Sequence, residues 1–350
     1  MGSIRTALVG FGYAGQTFHA PLIAATAGLE LAAIVSGNPA KVAPYWPRVP
    51  VRAQIGEVLA DPTIDLVVIA TPNSLHAEQA SLALAAGKHV VVDKPFTVAL
   101  ADAQALERQA GASGRVLSIF HNRRWDADFL ALSALIRQGA LGRVTQFESH
   151  FDRFRSERRD RWRERADVAG AGLWYDLGSH LLDQALFLFG LPLSIFVDIA
   201  TQRAGDGAAD YFHALMRYPD GLRIILHGSM LIPDSGLRFA VHGDGGSFIK
   251  HGLDRQEDQL KAGLPPGCDD WGVDPLPACL TRPAPDGLRS GPHAGPAGDY
   301  RRYYAGVRDA ITGDGPNPVT AAEAIQVMQL LALGIESAGQ RREIDLSEPV

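Results

Sequence analysis

A chain of 350 residues is long enough for two domains, each with a sizeable core. With 46% hydrophobic and 21% charged residues and a formal net charge of -6, the composition is that of a globular protein, and the acidic balance argues against a nucleic-acid surface or a polybasic membrane patch. The most apolar stretch, Leu181 to Ala200, is broken by Asp183, Gln184, Pro192 and Asp198, so no membrane span is expected.

The chain runs straight into a strand, so no signal peptide and a cytoplasmic location are expected. Ile4 to Val9 is a β-branched apolar run ending at Gly10-Phe11-Gly12-Tyr13-Ala14-Gly15, a G-x-G-x-x-G between a strand and a helical stretch, Ala14 to Ala27. The first glycine permits a tight turn, the second lets backbone approach a pyrophosphate, and the third lets helix and strand pack closely. The phosphates would rest on free N–H groups at the helix start. The second strand, Leu29 to Val35, runs into Ser36-Gly37-Asn38-Pro39-Ala40-Lys41 without an acid. An acid there would hydrogen-bond the 2′-hydroxyl of NAD. A hydroxyl, an amide and Lys41 suit a 2′-phosphate better, so NADP is the expected cofactor and NAD the alternative.

Asp65 to Ala70 reads as a buried strand, with Thr71-Pro72-Asn73 at its carboxyl end to line the cofactor's ribose and nicotinamide. His76 starts the helix His76 to Ala86 as a hydrogen-bonding residue. His89 to Val92 is a further strand, closed by Asp93-Lys94-Pro95-Phe96. A lysine at such a strand end lies where open α/β sheets bind ligands, and Pro95 keeps Lys94 out of the helical region. A helix from Ala99 to Ala112 and a strand from Val116 to Phe120 complete a doubly wound parallel domain over residues 1–122.

The pattern changes after His121-Asn122-Arg123-Arg124-Trp125-Asp126. A helix from Phe129 to Gln138 gives way to strand spacing at Val144, Phe147, Phe151 and Phe154. Arg153 to Arg165 is dense in arginine mixed with Glu157, Asp160 and Glu164; it reads as a solvated loop, or as a mobile loop over a polar ligand touched by Trp162 and Arg163. The glycine-rich segment from Gly170 to His180 leads into a helix, Leu181 to Phe189, and Asp176 and His180 stand one helical turn apart. An imidazole can accept a hydroxyl proton while a carboxylate orients it; the alternative is a capping aspartate beside a core histidine.

Strands follow at Ile195 to Gln202, Tyr211 to Tyr218, Leu222 to Leu231, Leu237 to His242 and Ser247 to Lys250. Leu264 to Gly298, rich in Pro and Gly, reads as loop, with Cys268 and Cys279 as reduced thiols. Helices are predicted from Asp299 to Ile311 and from Ala321 to Ala338. Residues 123–350 therefore read as an α+β domain with a large, open, mostly antiparallel sheet. One face would lie on helices and the other would be free for a homodimer or homotetramer, with the last helix able to pack back on the first domain.

Together these motifs resemble the glucose–fructose oxidoreductase, inositol dehydrogenase and rhizopine-catabolism (Gfo/Idh/MocA) family over essentially the whole chain. The family's Glu-Lys-Pro appears as Asp93-Lys94-Pro95, and its Gly-x-x-x-Asp-x-Gly-x-His segment as Gly172, Asp176, Gly178 and His180. His121 to Asp126, Leu173 to His180 and Phe239-Ala240-Val241-His242-Gly243 look most like the NADP-dependent scyllo-inositol dehydrogenase branch. The resemblance implies a Rossmann domain, a substrate domain, and catalysis by Lys94, Asp176 and His180. It adds Trp162, Arg163 and Tyr300 to the cofactor contacts. Asp93 and Asn122 are further candidate cofactor contacts, Tyr175 is a candidate substrate contact, and Arg123, Arg124 and Arg163 are candidates to grip ring hydroxyls or a carboxylate. The expected activity interconverts a secondary alcohol and ketone of a cyclic polyol or sugar, with no metal because hydride passes directly between carbons. The alternatives are a reductase of a keto-sugar such as 1,5-anhydrofructose and a non-catalytic dinucleotide-sensing regulator.

Overall fold

Aliphatic, β-branched runs bounded by glycine dictate the first half of the computed structural model, which describes residues 2–234 and 236–346. The residues outside that range fall within the expected domain bounds, at 1, 235 and 347–350. The strands β1 (Ile4–Val9), β2 (Leu29–Val35), β3 (Val51–Arg52), β4 (Leu66–Ile69), β5 (His89–Val92) and β6 (Leu117–Ile119) pair in the order β3-β2-β1-β4-β5-β6, all parallel. Every residue of β4 and Val90, Val91 and Val92 of β5 are fully buried, as expected of central strands covered by helices on both faces. The order reverses between β1 and β4, so the carboxyl ends of those two strands form the switch point where such sheets take ligands.

The helix expected from Ala14 to Ala27 is instead a π-helical turn, Gly15–His19, running into the short α1 (Ala20–Ala24). Pro21 supplies the reason: it has no N–H to donate and its ring crowds the carbonyl four residues back, so the ladder widens before it. Further helices are α2 (Pro39–Val42), α3 (Ile55–Leu59), α4 (His76–Ala85) and α5 (Leu100–Ser113), the last closed by Gly114 at φ 63°.

The second sheet has nine strands: β7 (Val144–His150), β8 (Ser194–Ala200), β9 (Tyr211–Arg217), β10 (Arg223–Ser229), β11 (Leu237–Gly243), β12 (Gly246–His251), β13 (Ala278–Ala284), β14 (Gly287–His293) and β15 (Ile344–Asp345). Their order is β14-β13-β12-β11-β7-β10-β9-β8-β15, antiparallel except for the parallel pair of β7 with β10. One face carries Phe147, Phe212, Ala214, Ile224, Leu226 and Val241 into a core shared with α6 (Ala127–Arg137) and α7 (Ser179–Phe189). Alternate residues, among them Glu148, His150, His213 and His227, lie half-buried on the other face.

Two sequence expectations change. The stretch 264–298 is not all loop, because 278–293 forms the β13–β14 hairpin. Pro283 lies beyond the three residues through which β13 pairs with β12, and Pro292 sits on the outermost strand, so neither proline removes a needed hydrogen bond. The boundary expected at 122/123 also becomes discontinuous: one unit comprises Met1–Trp125, Arg255–Gly272 and Asp299–Ile325, the other Asp126–Asp254, Val273–Gly298 and Gln326–Val350. The reason is burial: Tyr300, Tyr303, Tyr304 and Val307, in or just before α9 (Arg301–Thr312), are fully buried, and Phe18, His19 and Phe120 supply aromatic partners for the three tyrosines. A short helix, α8 (Gln256–Lys261), joins the same unit. The last long helix is α10 (Ala321–Gln340), and among the described residues no helix is long and apolar enough to cross a membrane. Cys268 and Cys279 are free thiols.

Candidate active site

The glycine loop follows β1 and its three glycines do different work. Gly10 has φ 98°, and a Cβ there would lie 2.7 Å from the Ala70 carbonyl oxygen. A Cβ on Gly15 would lie 2.2 Å from the Gly10 carbonyl oxygen, so only glycine closes the turn. A Cβ on Gly12 would meet nothing within 4 Å: its exposed backbone is an open cradle rather than a packing contact. Phe11 is buried, while Tyr13 is half exposed and its hydroxyl donates to Glu257 of α8 at 2.8 Å. Ala14 lies between them and the π-turn.

At the end of β2, Asn38 caps α2 by accepting the Lys41 N–H at 3.3 Å, and its own N–H donates to the Ser36 hydroxyl at 3.2 Å. Lys41 is exposed on this cap, and Arg52, at the end of β3, comes alongside because the Ser36 N–H donates to its carbonyl at 3.0 Å. Arg52 is a second cation that sequence reasoning missed, since a two-residue strand gives no periodic signal.

After β4, Thr71 donates to Gln79 at 2.8 Å, Pro72 is exposed, and Asn73 is buried with its amide nitrogen Nδ2 lacking a hydrogen-bond partner among the described residues. An orphaned buried donor beside the switch point fits a site built to hydrogen-bond a ligand. His76 is buried too, but its ring nitrogens lie 2.9 Å from the carbonyl oxygens of Thr71 and Pro95, so it clamps the loops after β4 and β5.

Asp93 follows β5 and is buried; its Oδ1 accepts the backbone N–H of Lys94 at 2.8 Å. Burial opposes ionisation of this carboxyl, but His19, His76 and Lys94 outweigh it and hold its pKa below the usual carboxylate range. His19 Nε2 is 3.8 Å from Asp93, and His19 Nδ1 is 2.6 Å from the Tyr304 hydroxyl. Neither His19 nor Tyr304 stands out in the sequence, where each looks like one polar residue on an amphipathic helix. Lys94 itself is half-buried at the strand end.

The next strand end is less open than its sequence suggests. Asn122, Arg123 and Arg124 form a buried 3-10 turn (Asn122–Trp125). The guanidinium of Arg123 pairs with Glu257 at 2.7 Å, and that of Arg124 with Glu323 at 2.8 Å. These cations, expected to grip a substrate, are drawn into ion pairs because each would otherwise be a buried charge without compensation. Tyr300 is fully buried with its ring beside Phe18, and its N–H donates to Gln256 at 2.7 Å.

Within the second unit, the expected site residues gather on two turns. Trp162 and Arg163 lie on a 3-10 turn (Trp162–Glu164), the guanidinium stacked 4.5 Å over the indole and its Nε 3.4 Å from Asp176. The segment around them is not the solvated loop its charge suggests. Arg158 donates to Asp210 at 3.1 Å, Arg203 pairs with Asp210 at 2.9 Å and with Glu164 at 3.1 Å, and these bonds tie the arginine-rich stretch down. Tyr175 and Asp176 belong to a π-turn (Trp174–Gly178), and His180 to the first turn of α7, where it is buried. Trp174 holds this turn: its indole N–H donates to the Leu331 carbonyl at 2.9 Å, and Cβ atoms on Gly178 or Gly334 would come within 2.6 and 2.5 Å of its ring. Burial pushes the Tyr175 hydroxyl's pKa up, so it stays a neutral donor.

Comparison with known proteins bears on both units. Residues 4–121 match the NAD-binding Rossmann fold of the Gfo/Idh/MocA oxidoreductase family, and residues 133–346 match that family's C-terminal alpha/beta domain. The uncharacterized oxidoreductase YdgJ of Escherichia coli (strain K12) is 53% identical over 99% of both chains. The scyllo-inositol 2-dehydrogenase (NADP(+)) IolW of Bacillus subtilis (strain 168) is 36% identical over 98% of this chain and 96% of its own. Among solved structures, the YPO2259 protein of Yersinia pestis superposes with a TM-score of 0.96 at 50% identity, covering 100% of this chain and 99% of that one. With both domains matched and the full length aligned, the chain belongs to the Gfo/Idh/MocA family of NAD(P)-dependent oxidoreductases.

Proposed function

We propose that this enzyme uses NADP to interconvert a secondary alcohol and a ketone on a cyclic polyol, with inositols the leading substrate class. The observation that carries the reading is Lys94 at the carboxyl end of β5, one strand from the switch point, with its backbone held by an ionised Asp93. Support for NADP comes from the end of β2, where Ser36, Asn38, Lys41 and Arg52 offer donors and cations and no acid opposes a 2′-phosphate. The Bacillus subtilis relative, an NADP(+)-linked scyllo-inositol 2-dehydrogenase, supports both cofactor and substrate class.

In this mechanism the Gly12 cradle would receive the pyrophosphate, and the Asn73 amide and the Thr71 turn would hold the nicotinamide end. The nicotinamide, when bound, takes or supplies the hydride. Lys94 donates to the reacting oxygen and stabilises negative charge developing there. His180 takes the hydroxyl proton during oxidation and returns it during reduction, and Asp176, steadied by Arg163, orients the substrate's hydroxyl groups. Arg123 and Arg124 act at one remove, by holding α8 and the start of α10.

The test is absorbance at the reduced-nicotinamide wavelength, scanning inositols and sugars with NADP and NAD in parallel, and keto-sugars in the reducing direction. Turnover is expected with an inositol and NADP, and Lys94→Met should abolish it while leaving NADPH binding near wild type. Full turnover in that variant would remove Lys94 from the mechanism, and a strict preference for NAD would overturn the cofactor reading.

A further inference from the structure

On the half-open face of the nine-stranded sheet, three side chains that the dehydrogenase chemistry does not use come together. His150 ends β7, Asp152 follows two residues later on the same face, and His227 of β10 is the register partner of His150. Pairing continues past the strand end, since the N–H groups of Phe151 and Arg153 donate to the carbonyls of His227 and Ser229 at 2.9 Å. The backbone around the three side chains is therefore fixed on both sides.

One nitrogen or oxygen from each of the three lies within 4.8 Å of the others. His150 Nδ1 is 3.4 Å from Asp152 Oδ2, and His227 Nε2 is 3.5 Å from Asp152 Oδ1. The two contacts run to different carboxylate oxygens, so Asp152 faces both imidazoles at once, and small side-chain adjustments would bring one atom from each residue around an ion with bonds of about 2.0–2.1 Å. The outer contacts are also those of metal ligands. The remaining nitrogen of His150 faces Glu148 at 3.4 Å, that of His227 faces His213 Nδ1 at 3.3 Å, and Asp152 Oδ1 accepts the Ser229 N–H at 3.0 Å. Each ligand is thus oriented by a partner on its far side, and each imidazole has an acceptor for the proton it keeps when its other nitrogen binds.

We propose that His150, Asp152 and His227 bind one zinc-class divalent cation, with water completing the coordination. Two imidazoles and a single carboxylate favour zinc, cobalt, nickel or copper over magnesium and calcium, which demand more oxygen ligands. The sequence carries only a His-x-Asp pair at 150–152 and a remote histidine, too sparse a pattern to announce a site. The sheet register makes it one.

The full-length protein, freed of metal with a chelator, is titrated with Co²⁺ while its visible spectrum is recorded, and with Zn²⁺ in competition against a chromophoric chelator. One ion per chain is expected, with visible cobalt bands, no thiolate charge-transfer band, and a rise in Tm with zinc. His227→Ala and the near-isosteric Asp152→Asn should each weaken zinc binding at least tenfold and remove the rise in Tm. His293→Ala, on β14, should bind like wild type. Absence of saturable binding, unchanged affinity in both ligand variants, or a thiolate band assigning the metal to Cys268 or Cys279 would each overturn the proposal.

Discussion

The hydroxyl of Tyr304 lies 2.6 Å from Nδ1 of His19, and both side chains are fully buried. Through the opposite ring nitrogen, 3.8 Å from Asp93, this contact reaches the carboxylate that holds the Lys94 backbone. Helix α9, late in the chain, thereby braces the strand end that presents the lysine. Tyr304→Phe keeps the ring packing against Phe120 but leaves a buried imidazole nitrogen without its partner. We expect a loss of about 1–3 kcal/mol in urea unfolding, together with lower kcat at near-constant NADPH affinity. Unchanged stability and turnover would show that the hydroxyl contributes nothing to the lysine's support.

Glu257 joins three groups of the same unit: the Tyr13 hydroxyl of the glycine loop, Arg123 and Lys261. Burial opposes its ionisation, yet Arg123 and Lys261 pull its pKa from 4.5 down to about 2. Because the folded value lies below the unfolded one, this contribution is complete above about pH 4.5 and is lost as the pH falls towards 2. Glu257→Gln should therefore lower stability at neutral pH by roughly 2–3 kcal/mol and flatten the acid limb. Urea midpoints measured from pH 7 to pH 3 read both effects. Parallel curves for the two proteins would contradict the assignment.

Asp210 is the shared counter-ion of the arginine-rich segment, with Arg203 almost wholly buried against it and Arg158 alongside. Burial opposes its charge, but the N–H of Gln202 and the Arg203 guanidinium overcome this and keep its pKa below the usual range. Asp210→Asn would leave the buried Arg203 guanidinium with Glu164 as its remaining counter-ion and a neutral amide beside it. A cost of about 1–3 kcal/mol is expected, read as a lower Tm and as early proteolytic cutting between residues 153 and 165. A surface-like effect below about 0.5 kcal/mol would return this stretch to the solvated loop its composition suggests.

What the sequence revealed and what it hid divide along physical lines. Val90, Val91 and Val92 announce a buried strand because nothing else needs three consecutive β-branched residues, and the spacing of Gly10, Gly12 and Gly15 announces the loop that follows β1. Partner choice was not legible. Nothing in the sequence around Arg123 and Arg124 points to Glu257 and Glu323, more than a hundred residues away, with which they pair. The π-turns at Gly15–His19 and Trp174–Gly178 each insert a single hydrogen-bond shift into a helical pattern, below what periodicity can resolve. Proline at 283 and 292 disguised a hairpin as loop, since only the sheet order shows that those positions donate to no neighbour.

Substitutions at Gly12 and Gly15 should separate cofactor binding from folding within a single motif. At Gly12 an added methyl meets no protein atom within 4 Å, so Gly12→Ala should change unfolding free energy by less than about 0.5 kcal/mol. The same methyl would stand where a pyrophosphate must approach the backbone, and NADPH affinity should fall tenfold or more. At Gly15 the methyl would lie 2.2 Å from the Gly10 carbonyl oxygen, and backbone has to move to relieve it. Gly15→Ala should therefore lose both stability, by about 1–3 kcal/mol, and NADPH binding. Fluorescence titration with NADPH and urea unfolding of the two variants decide the matter. If Gly12→Ala binds NADPH like wild type, the open face of the turn is not where the phosphates rest; if it unfolds as easily as Gly15→Ala, the space beside Gly12 is not free.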